Sequence, residues 1–217
     1  TREETNTLIT QLKEKAPKLT EEVLGGETPL VKPGELQKVL QNLLAERVPI
    51  RDLETVVETL GDLAGRTKDL DVLTEYVRHA LRRGICQQYA APADPHASPR
   101  AGSRLRLVCV TLDPAFEDVI NGSIDRSGAG TAVSMPARVA NAVANRIIES
   151  LKPVIAAGHQ PVVIASPQVR AVVHQLLTPH LPAAAVLGYN EIVSEVEVES
   201  MALVTMPEES TSTAAVA

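Results

Sequence analysis

Residues 36–60 read LQKVLQNLLAERVPIRDLETVVETL, two amphipathic helical patterns on either side of one proline. In residues 36–44, leucine and valine recur at intervals of three and four positions, which is the spacing of one helix face. Residues 53–60 repeat this spacing. Pro49 lies between the patterns, and a proline lacks the amide hydrogen and clashes with the preceding turn of a helix. The stretch therefore predicts a tight corner between two helices.

Charged side chains are predicted to cover the outer surface of this corner. They are Glu46, Arg47, Arg51, Asp52, Glu54 and Glu58. None of them has the spacing of a catalytic site, so we interpret the corner as a helical module that presents a surface. A helix-turn-helix that reads DNA is an alternative, but Asp52, Glu54 and Glu58 would then face phosphates.

The composition of the whole chain restricts its partners. The 217 residues include no Trp and one Phe, so the core must be built from aliphatic side chains, and aromatic platforms for single-stranded nucleic acid are scarce. There are 21 basic and 27 acidic residues, giving a net charge of −6, and neither half of the chain is basic. Binding to a phosphate backbone depends on Lys and Arg, so no nucleic-acid partner is predicted.

Periodicity changes along the chain and divides it into parts. Residues 1–90 carry helical patterns only, and residues 91–103 form a linker rich in Pro and Ala. Residues 104–206 alternate strand and helix patterns in the outline β-α-β-α-β-β, ending in an acidic strand with the character of a sheet edge. Residues 207–217 are predicted to be a disordered tail. The predicted fold class is α+β, with an all-helical subdomain followed by a small α/β sandwich subdomain.

A search for reactive groups yields one weak catalytic candidate. Ser166 stands between a strand and a helix that also carries His174, the place of the nucleophile in a serine hydrolase. The local sequence IASPQ lacks the G-x-S-x-G turn, which favours a helix-capping role for Ser166. No His or Cys spacing suits a metal, and no glycine-rich phosphate loop is present. We therefore predict no enzyme activity, no catalytic residue, no metal and no cofactor.

The cysteines and the chain ends give further expectations. Cys86 and Cys109 are predicted to be free thiols in a reducing compartment, with a disulfide as the lesser alternative. No apolar run reaches the length of a membrane span. The chain starts directly in a helical pattern without Met, so we expect it to be a piece of a longer protein.

Several stretches closely resemble the FHIPEP family, the large export-gate proteins of flagellar type III secretion and their injectisome relatives. The similarity is dense over residues 1–89 and looser but in register over residues 104–206. The stretches are TREET (1–5), PKLTEE (17–22), KVLQNLLAERVPIRD (38–52), ETL (58–60), KD (68–69), LTEYVRHAL (73–81) and VLGYNEI (186–192). Residues 1–5 and the pair Gln41–Asn42 are more similar to flagellar than to injectisome members.

This resemblance implies a fold position and a function. Family members have an N-terminal membrane domain and a cytoplasmic domain of four subdomains, which assembles, typically as a nonamer, into a ring below the export channel. The chain looks like the last two subdomains, at the cytoplasmic face of the inner membrane and itself soluble. The implied partners are other copies of the chain, flagellar export chaperones, substrates and proteins of the export apparatus. The family's chaperone-binding depression lies chiefly before Thr1, so no chaperone contact is carried over.

The resemblance leads to a specific hypothesis about the charged corner. We expect its outer residues, Glu46, Arg47, Arg51, Asp52, Glu54 and Glu58, to contact a neighbouring subunit or an export partner. The alternatives are the corresponding gate of a virulence injectisome and, as a more distant option, a small serine hydrolase.

Overall fold

The computed structural model of the protein describes residues 1–92, 105–125 and 132–206. A helical part comes first and contains α1 (Arg2–Lys15), α2 (Pro17–Leu24), α3 (Pro33–Ala45), α4 (Leu53–Leu63), α5 (Leu70–Ala80) and α6 (Arg82–Tyr89). Residues 93–103 of the predicted linker and the predicted disordered tail, residues 207–217, lie outside the described residues.

An α/β part follows, built on one mixed sheet. Its strands are β1 (Ala91–Pro92), β2 (Leu105–Leu112), β5 (Val162–Ala165), β6 (Ala185–Gly188) and β7 (Val196–Val204), and β3 (Ile124–Asp125) pairs with β4 (Ala132–Val133) as a separate hairpin. The helices of this part are α7 (Pro114–Asn121), α8 (Ala137–Ala156) and α9 (Arg170–Leu177), and a 3-10 turn covers Tyr189–Glu191. The predicted α+β fold class is confirmed.

Strand β2 is the centre of the sheet. It pairs in parallel with β7 on one edge and with β5 on the other, and β5 pairs in parallel with β6. The short β1 runs antiparallel to the first residues of β2, so the start of the predicted linker belongs to the sheet. The acidic edge strand predicted near the end of the chain is confirmed as β7.

The helical part and the α/β part share the two faces of this sheet. Leu107 and Cys109 of β2 belong to the core of the helical part, whereas Val108 and Val110 belong to a second core with α7, α8 and α9. Side chains alternate between the two faces of a strand, and a parallel sheet is stable when both faces are covered. The helical part is therefore the layer that buries one side of the sheet.

The predicted helical corner is present. Helix α3 ends at Ala45 and α4 begins at Leu53, and both predicted apolar faces are buried except at Leu44, which is 53% exposed. The buried residues are Leu36, Val39, Leu40 and Leu43 on α3 and Leu53, Val56, Val57 and Leu60 on α4. Across the described residues, each helix is too short or too polar to serve as a membrane span.

Candidate interaction surface and buried ion cluster

The backbone between α3 and α4 is fixed by a helix-terminating motif. Arg47 has a φ of 59°, in the left-handed region. Its N–H donates to the carbonyl of Leu44 at 3.0 Å, and the N–H of Val48 donates to the carbonyl of Leu43 at 2.9 Å. This pair of bonds is the Schellman pattern, and burial of Val48 beside it accompanies the motif. The chain is thus turned sharply just before Pro49.

Asp52 starts the second helix of the corner. Its carboxylate accepts from the N–H of Thr55 at 3.2 Å and from the hydroxyl of Thr55 at 2.8 Å. The negative charge lies at the N-terminus of α4, where unpaired amides and the helix dipole favour it. Asp52 therefore has a structural role in addition to any role at the surface.

Five of the six predicted contact residues are exposed: Arg47, Arg51, Asp52, Glu54 and Glu58. Arg51 and Asp52 line two neighbouring grooves. One groove, of about 350 Å³, separates the corner from the junction of α5 and α6, and the other, of about 320 Å³, separates it from α1. The corner is therefore a charged ridge with a groove on each side.

The expectation of an outward-facing Glu46 is wrong. Its side chain is 13% exposed and accepts from Arg78 Nη1 at 3.0 Å and from Arg170 Nη2 at 3.0 Å. Glu46 is the last residue before the left-handed turn at Arg47, and it points toward the α/β part, where both guanidinium groups are buried. Both oxygens of its carboxylate are engaged by arginines of the same chain.

Glu46 belongs to a five-residue ion cluster, with Glu75, Arg78, Arg170 and Glu191. Arg78 makes a bidentate contact to Glu191, with Nε to Oε1 at 2.7 Å and Nη2 to Oε2 at 2.9 Å. Arg170 makes a bidentate contact to Glu75, with its Nε 2.8 Å from Oε2. The ion cluster joins α5 and the end of α3 to α9 and the turn after β6, so it ties the helical part to the α/β part.

The ion cluster is satisfied in hydrogen bonds as well as in charge. Arg78 and Arg170 both also donate to the carbonyl of Val186 on β6, at 3.4 Å and 3.3 Å. The N–H of Gly188 donates to Glu191 at 2.9 Å. A buried charge is tolerated when its donors and acceptors are all engaged, and every buried side-chain polar atom in the described residues has a partner.

The protonation states follow from this packing. Burial opposes ionisation of Glu46, but Arg170 and Arg78 outweigh it and hold the pKa of Glu46 below its ordinary value. Burial also opposes the charge on Arg170, and the hydrogen bonds and charges of Glu75 and Glu46 more than compensate, so the pKa of Arg170 is raised. His174, one turn further along α9, has its pKa lowered by burial, with Glu46 opposing and Arg170 reinforcing the shift. Glu46 and Arg170 are thus both charged at neutral pH.

The two groups of the serine-hydrolase alternative lie in different surroundings. Ser166 follows β5, and its N–H donates to the carboxylate of Glu117 at 2.7 Å. His174 lines a groove with Glu46 and Glu75 between the helical part and α9. No hydrogen bond links Ser166 to His174 in the described part of the chain. The predicted capping role of Ser166 is also wrong, because α9 begins only at Arg170, after a turn over residues 167–169.

The described residues provide neither a metal site nor an exposed thiol. Within residues 1–92, 105–125 and 132–206, no three His, Cys, Asp or Glu side chains come together in a way that could hold a metal ion. Cys86 and Cys109 are both free and buried. Burial raises the pKa of Cys86 and raises that of Cys109 to about 12, so both thiols are protonated.

The fold and the site together define a class of protein. In this class a helical layer covers one face of an α/β sheet, buried ion pairs join the two parts, and a charged corner is exposed. The chain belongs to the FHIPEP family, whose model matches residues 1–197. It is 35% identical over 203 residues to the flagellar biosynthesis protein FlhA of Bacillus subtilis, covering 94% of the chain and 28% of that protein. It is 30% identical over 190 residues to the invasion protein InvA of Salmonella typhimurium, covering 88% of the chain and 25% of InvA. The chain thus spans about a quarter of the length of these relatives.

Solved structures share this fold. A complex of CdsV and CdsO from Chlamydia pneumoniae matches with a TM-score of 0.79 and 27% identity, covering 94% of the chain and 56% of the matched chain. The nonameric cytosolic domain of EscV, from a type III secretion system, matches with a TM-score of 0.66 and 25% identity over the same shares. The C-terminal domain of InvA matches with a TM-score of 0.78 and 28% identity, covering 94% of the chain and 57% of the matched chain.

Sequence reasoning missed the ion cluster. Its best local signal is on α5, where the buried residues Leu73, Thr74, Val77 and Arg78 form one helix face. An arginine inside an apolar helix face predicts a buried partner, because a charge is rarely buried alone. Its partner Glu191 lies 113 positions away, beyond the reach of any local pattern.

Proposed function

We propose that the chain is the C-terminal cytoplasmic part of a flagellar type III export gate, where it forms part of a ring that receives export substrates and chaperone–substrate complexes. The observation that carries the proposal is the family match over residues 1–197 together with the 35% identity to a flagellar FlhA. The role is non-catalytic binding and assembly at the cytoplasmic face of the membrane. No cofactor is needed for it.

The partners in this proposal come from the relatives. EscV forms a nonamer, which supports a ring of copies of this chain. CdsV forms a complex with CdsO, which supports contacts with other proteins of the export apparatus. Chaperones and substrates enter as partners through the family resemblance. The injectisome gate is the second candidate, favoured by the 30% identity to InvA.

We assign contacts with a neighbouring subunit or an export partner to the charged ridge of the corner, called the corner ridge below. Arg51 lies between two grooves and is exposed, and Glu54 and Glu58 lie one and two turns along the exposed face of α4. Charges of both signs on one ridge suit a partner with the complementary pattern, which sets register and specificity more than affinity. Glu46 is excluded from this surface because it is held inside by Arg78 and Arg170.

The test reverses charges on the ridge without touching helix caps. We expect Arg51→Glu combined with Glu58→Lys, in the full-length gate protein, to impair ring assembly and motility by about 10-fold or more. Arg66→Glu, past the other end of α4, is the matched control and should behave like the wild type. Assembly is measured by sedimentation and export by secretion of flagellar subunits.

The outcomes separate the alternatives. Normal rings and normal motility in the double reversal would remove the ridge from the assembly surface. Rescue of a strain lacking its injectisome gate, with no rescue of a strain lacking its flagellar gate, would favour the injectisome candidate.

A further inference from the structure

Strand β7 forms one edge of the main sheet. It pairs with β2 at eight register positions, from Leu105↔Val196 to Leu112↔Val204, and it has no second strand neighbour among the described residues. Its remaining backbone groups therefore face away from the sheet. At the opposite edge, β6 is only four residues long, and a short edge offers little to pair with.

A bulge puts two apolar side chains of β7, Val198 and Leu203, on the same face of the sheet. Cys109 is opposite Ser200 and Val110 is opposite Ala202, so Met201 is an extra residue on β7. The bulge shifts the alternation, and Val198 and Leu203 both lie on the face of β2 that carries Leu107 and Thr111. The helical part covers the middle of this face but leaves the margin open.

This margin is exposed and apolar. Val198 is 40% exposed, Met201 41% and Leu203 55%. The hydroxyls of Thr111 and Ser200 are hydrogen-bonded to one another at 3.0 Å, and the Ser200 hydroxyl also donates to the carbonyl of Ala202 at 3.1 Å, so these exposed hydroxyls are already engaged within the sheet. The margin therefore carries three exposed apolar side chains, with Ser200 between them, beside the outer backbone groups of β7.

The usual protection of a sheet edge is present only at the start of β7. Glu197 and Glu199 are exposed charges there, and Glu199 pairs with Arg106 at 2.7 Å. From Ser200 to Met206 the sequence SMALVTM has no charge and no proline. Soluble proteins normally block long edges with such residues, because an open edge pairs with other chains.

We propose that the outer edge of β7 binds an extended segment of another polypeptide, which adds to the sheet as a further strand and alternates apolar with basic residues. Main-chain hydrogen bonds supply affinity and side-chain positions supply selectivity in this mode of recognition. Apolar residues of the segment cover Val198 and Leu203, and basic residues face Glu197 and Glu199. This goes beyond the proposed ring and does not use the corner ridge, so either proposal can fail alone.

The probe is a ten-residue peptide of alternating valine and lysine. Two control peptides of equal length replace either every lysine by glutamate or alternate valines by proline, which cannot donate to a ladder. We expect the Val/Lys peptide to slow hydrogen exchange of the β7 amides between residues 197 and 203 by about 10-fold, because pairing buries them. Neither control peptide should do so.

Matched variants locate the effect. Val198→Lys should abolish the protection by the Val/Lys peptide, whereas Val139→Lys, at a valine on α8 that is 38% exposed, should leave it intact. Glu197→Lys should shift the preference to the Val/Glu peptide, and it remains informative if Val198→Lys does not fold.

Three results would overturn the proposal. They are absence of protection in β7, protection by the proline peptide, and protection that depends on protein concentration without any peptide. The last result would identify a second copy of this chain as the occupant.

Discussion

Arg170 shows how a single side chain holds two parts of this protein together. It is 1% exposed, it starts α9 in the α/β part, and its nitrogens contact Glu46 and Glu75 of the helical part. Replacement of Arg170 leaves Glu46 with Arg78 alone and removes the guanidinium partner of Glu75, and removal of one member of a buried ion pair costs more than the pair itself contributes.

We therefore expect Arg170→Met to lower the free energy of unfolding by about 3–5 kcal/mol. Arg83→Met is the control, because Arg83 pairs with Glu195 at the surface, where solvent screening leaves an ion pair with little effect on stability. Urea unfolding followed by circular dichroism measures both. Equal effects of the two substitutions would contradict a structural role for the ion cluster.

Arg47 carries backbone strain that a glycine would relieve. Its φ of 59° lies in the region that side chains disfavour, and the residue is exposed. We expect Arg47→Gly to raise the free energy of unfolding by about 0.5–1 kcal/mol, after allowance for the greater freedom of glycine in the unfolded chain.

Gly158 gives the converse test for Arg47, because its φ is 83° and no atom lies within 4 Å of an added Cβ. Gly158→Ala should lower the free energy of unfolding by about 0.5–1 kcal/mol, because backbone strain then enters without a clash and is only partly offset by the reduced freedom of the unfolded chain. Thermal unfolding of both variants measures these two changes in stability. A stability loss in Arg47→Gly would mean that the arginine side chain is needed at this turn.

At the scale of elements, the best sequence predictions concern periodic segments. The corner of α3 and α4 follows from apolar spacing and from one proline, both local features, and the structure buries the predicted apolar residues apart from Leu44. The edge strand β7 follows from its acidic alternation in the same way. The capping role predicted for Ser166 puts the start of α9 too early, because a turn over residues 167–169 separates Ser166 from the helix.

The placement of Glu46 could not be predicted from local spacing. It is next to exposed charged residues in the sequence, and its inward direction is decided by Arg170, 124 positions away. Non-local ion pairs leave only a weak trace in one sequence: an arginine within an apolar helix face, as Arg78 is on α5.

Helices α2 and α4 pack closely at a glycine. A Cβ added to Gly61 on α4 would lie 2.7 Å from a methyl group of Val23 on α2. We expect Gly61→Ala to lower the free energy of unfolding by about 1–2 kcal/mol, because Val23 is buried and β-branched and has little room to move.

Gly34 on α3 is the matched control for Gly61, because an added Cβ meets nothing within 4 Å. Gly34→Ala should raise the free energy of unfolding by about 0.5 kcal/mol through reduced freedom of the unfolded chain. If Gly61→Ala is also stabilising in denaturant unfolding, α2 and α4 are not as close as described.

At the scale of the whole molecule, the sheet is the layer on which both parts depend. Its two faces belong to two cores, one shared with the helical part and one with α7, α8 and α9. Loss of either layer would expose apolar strands to water at about 25 cal/mol per Å². We therefore expect the two parts to unfold together.

The two thiols report on this cooperativity. Cys86 on α6 and Cys109 on β2 are buried in the core that joins the parts, and burial raises the pKa of both. In the native protein at pH 8, a thiol reagent should label neither cysteine, because both are buried and protonated. With increasing urea, labelling should begin at both in the same transition. Mass spectrometry of labelled peptides measures each site, and labelling of Cys86 at clearly lower urea would show that the helical part opens first.

The ion cluster also limits how this chain can exchange parts with its relatives. Glu46, Glu75 and Arg78 lie on the helical part, and Arg170 and Glu191 lie on the α/β part. A chimaera that takes each part from a different parent inherits half of this electrostatic arrangement from each. We therefore expect a chimaera to fold stably only when its two parents carry the same charges at these five positions. The ion cluster thus decides which helical part can be combined with which α/β part.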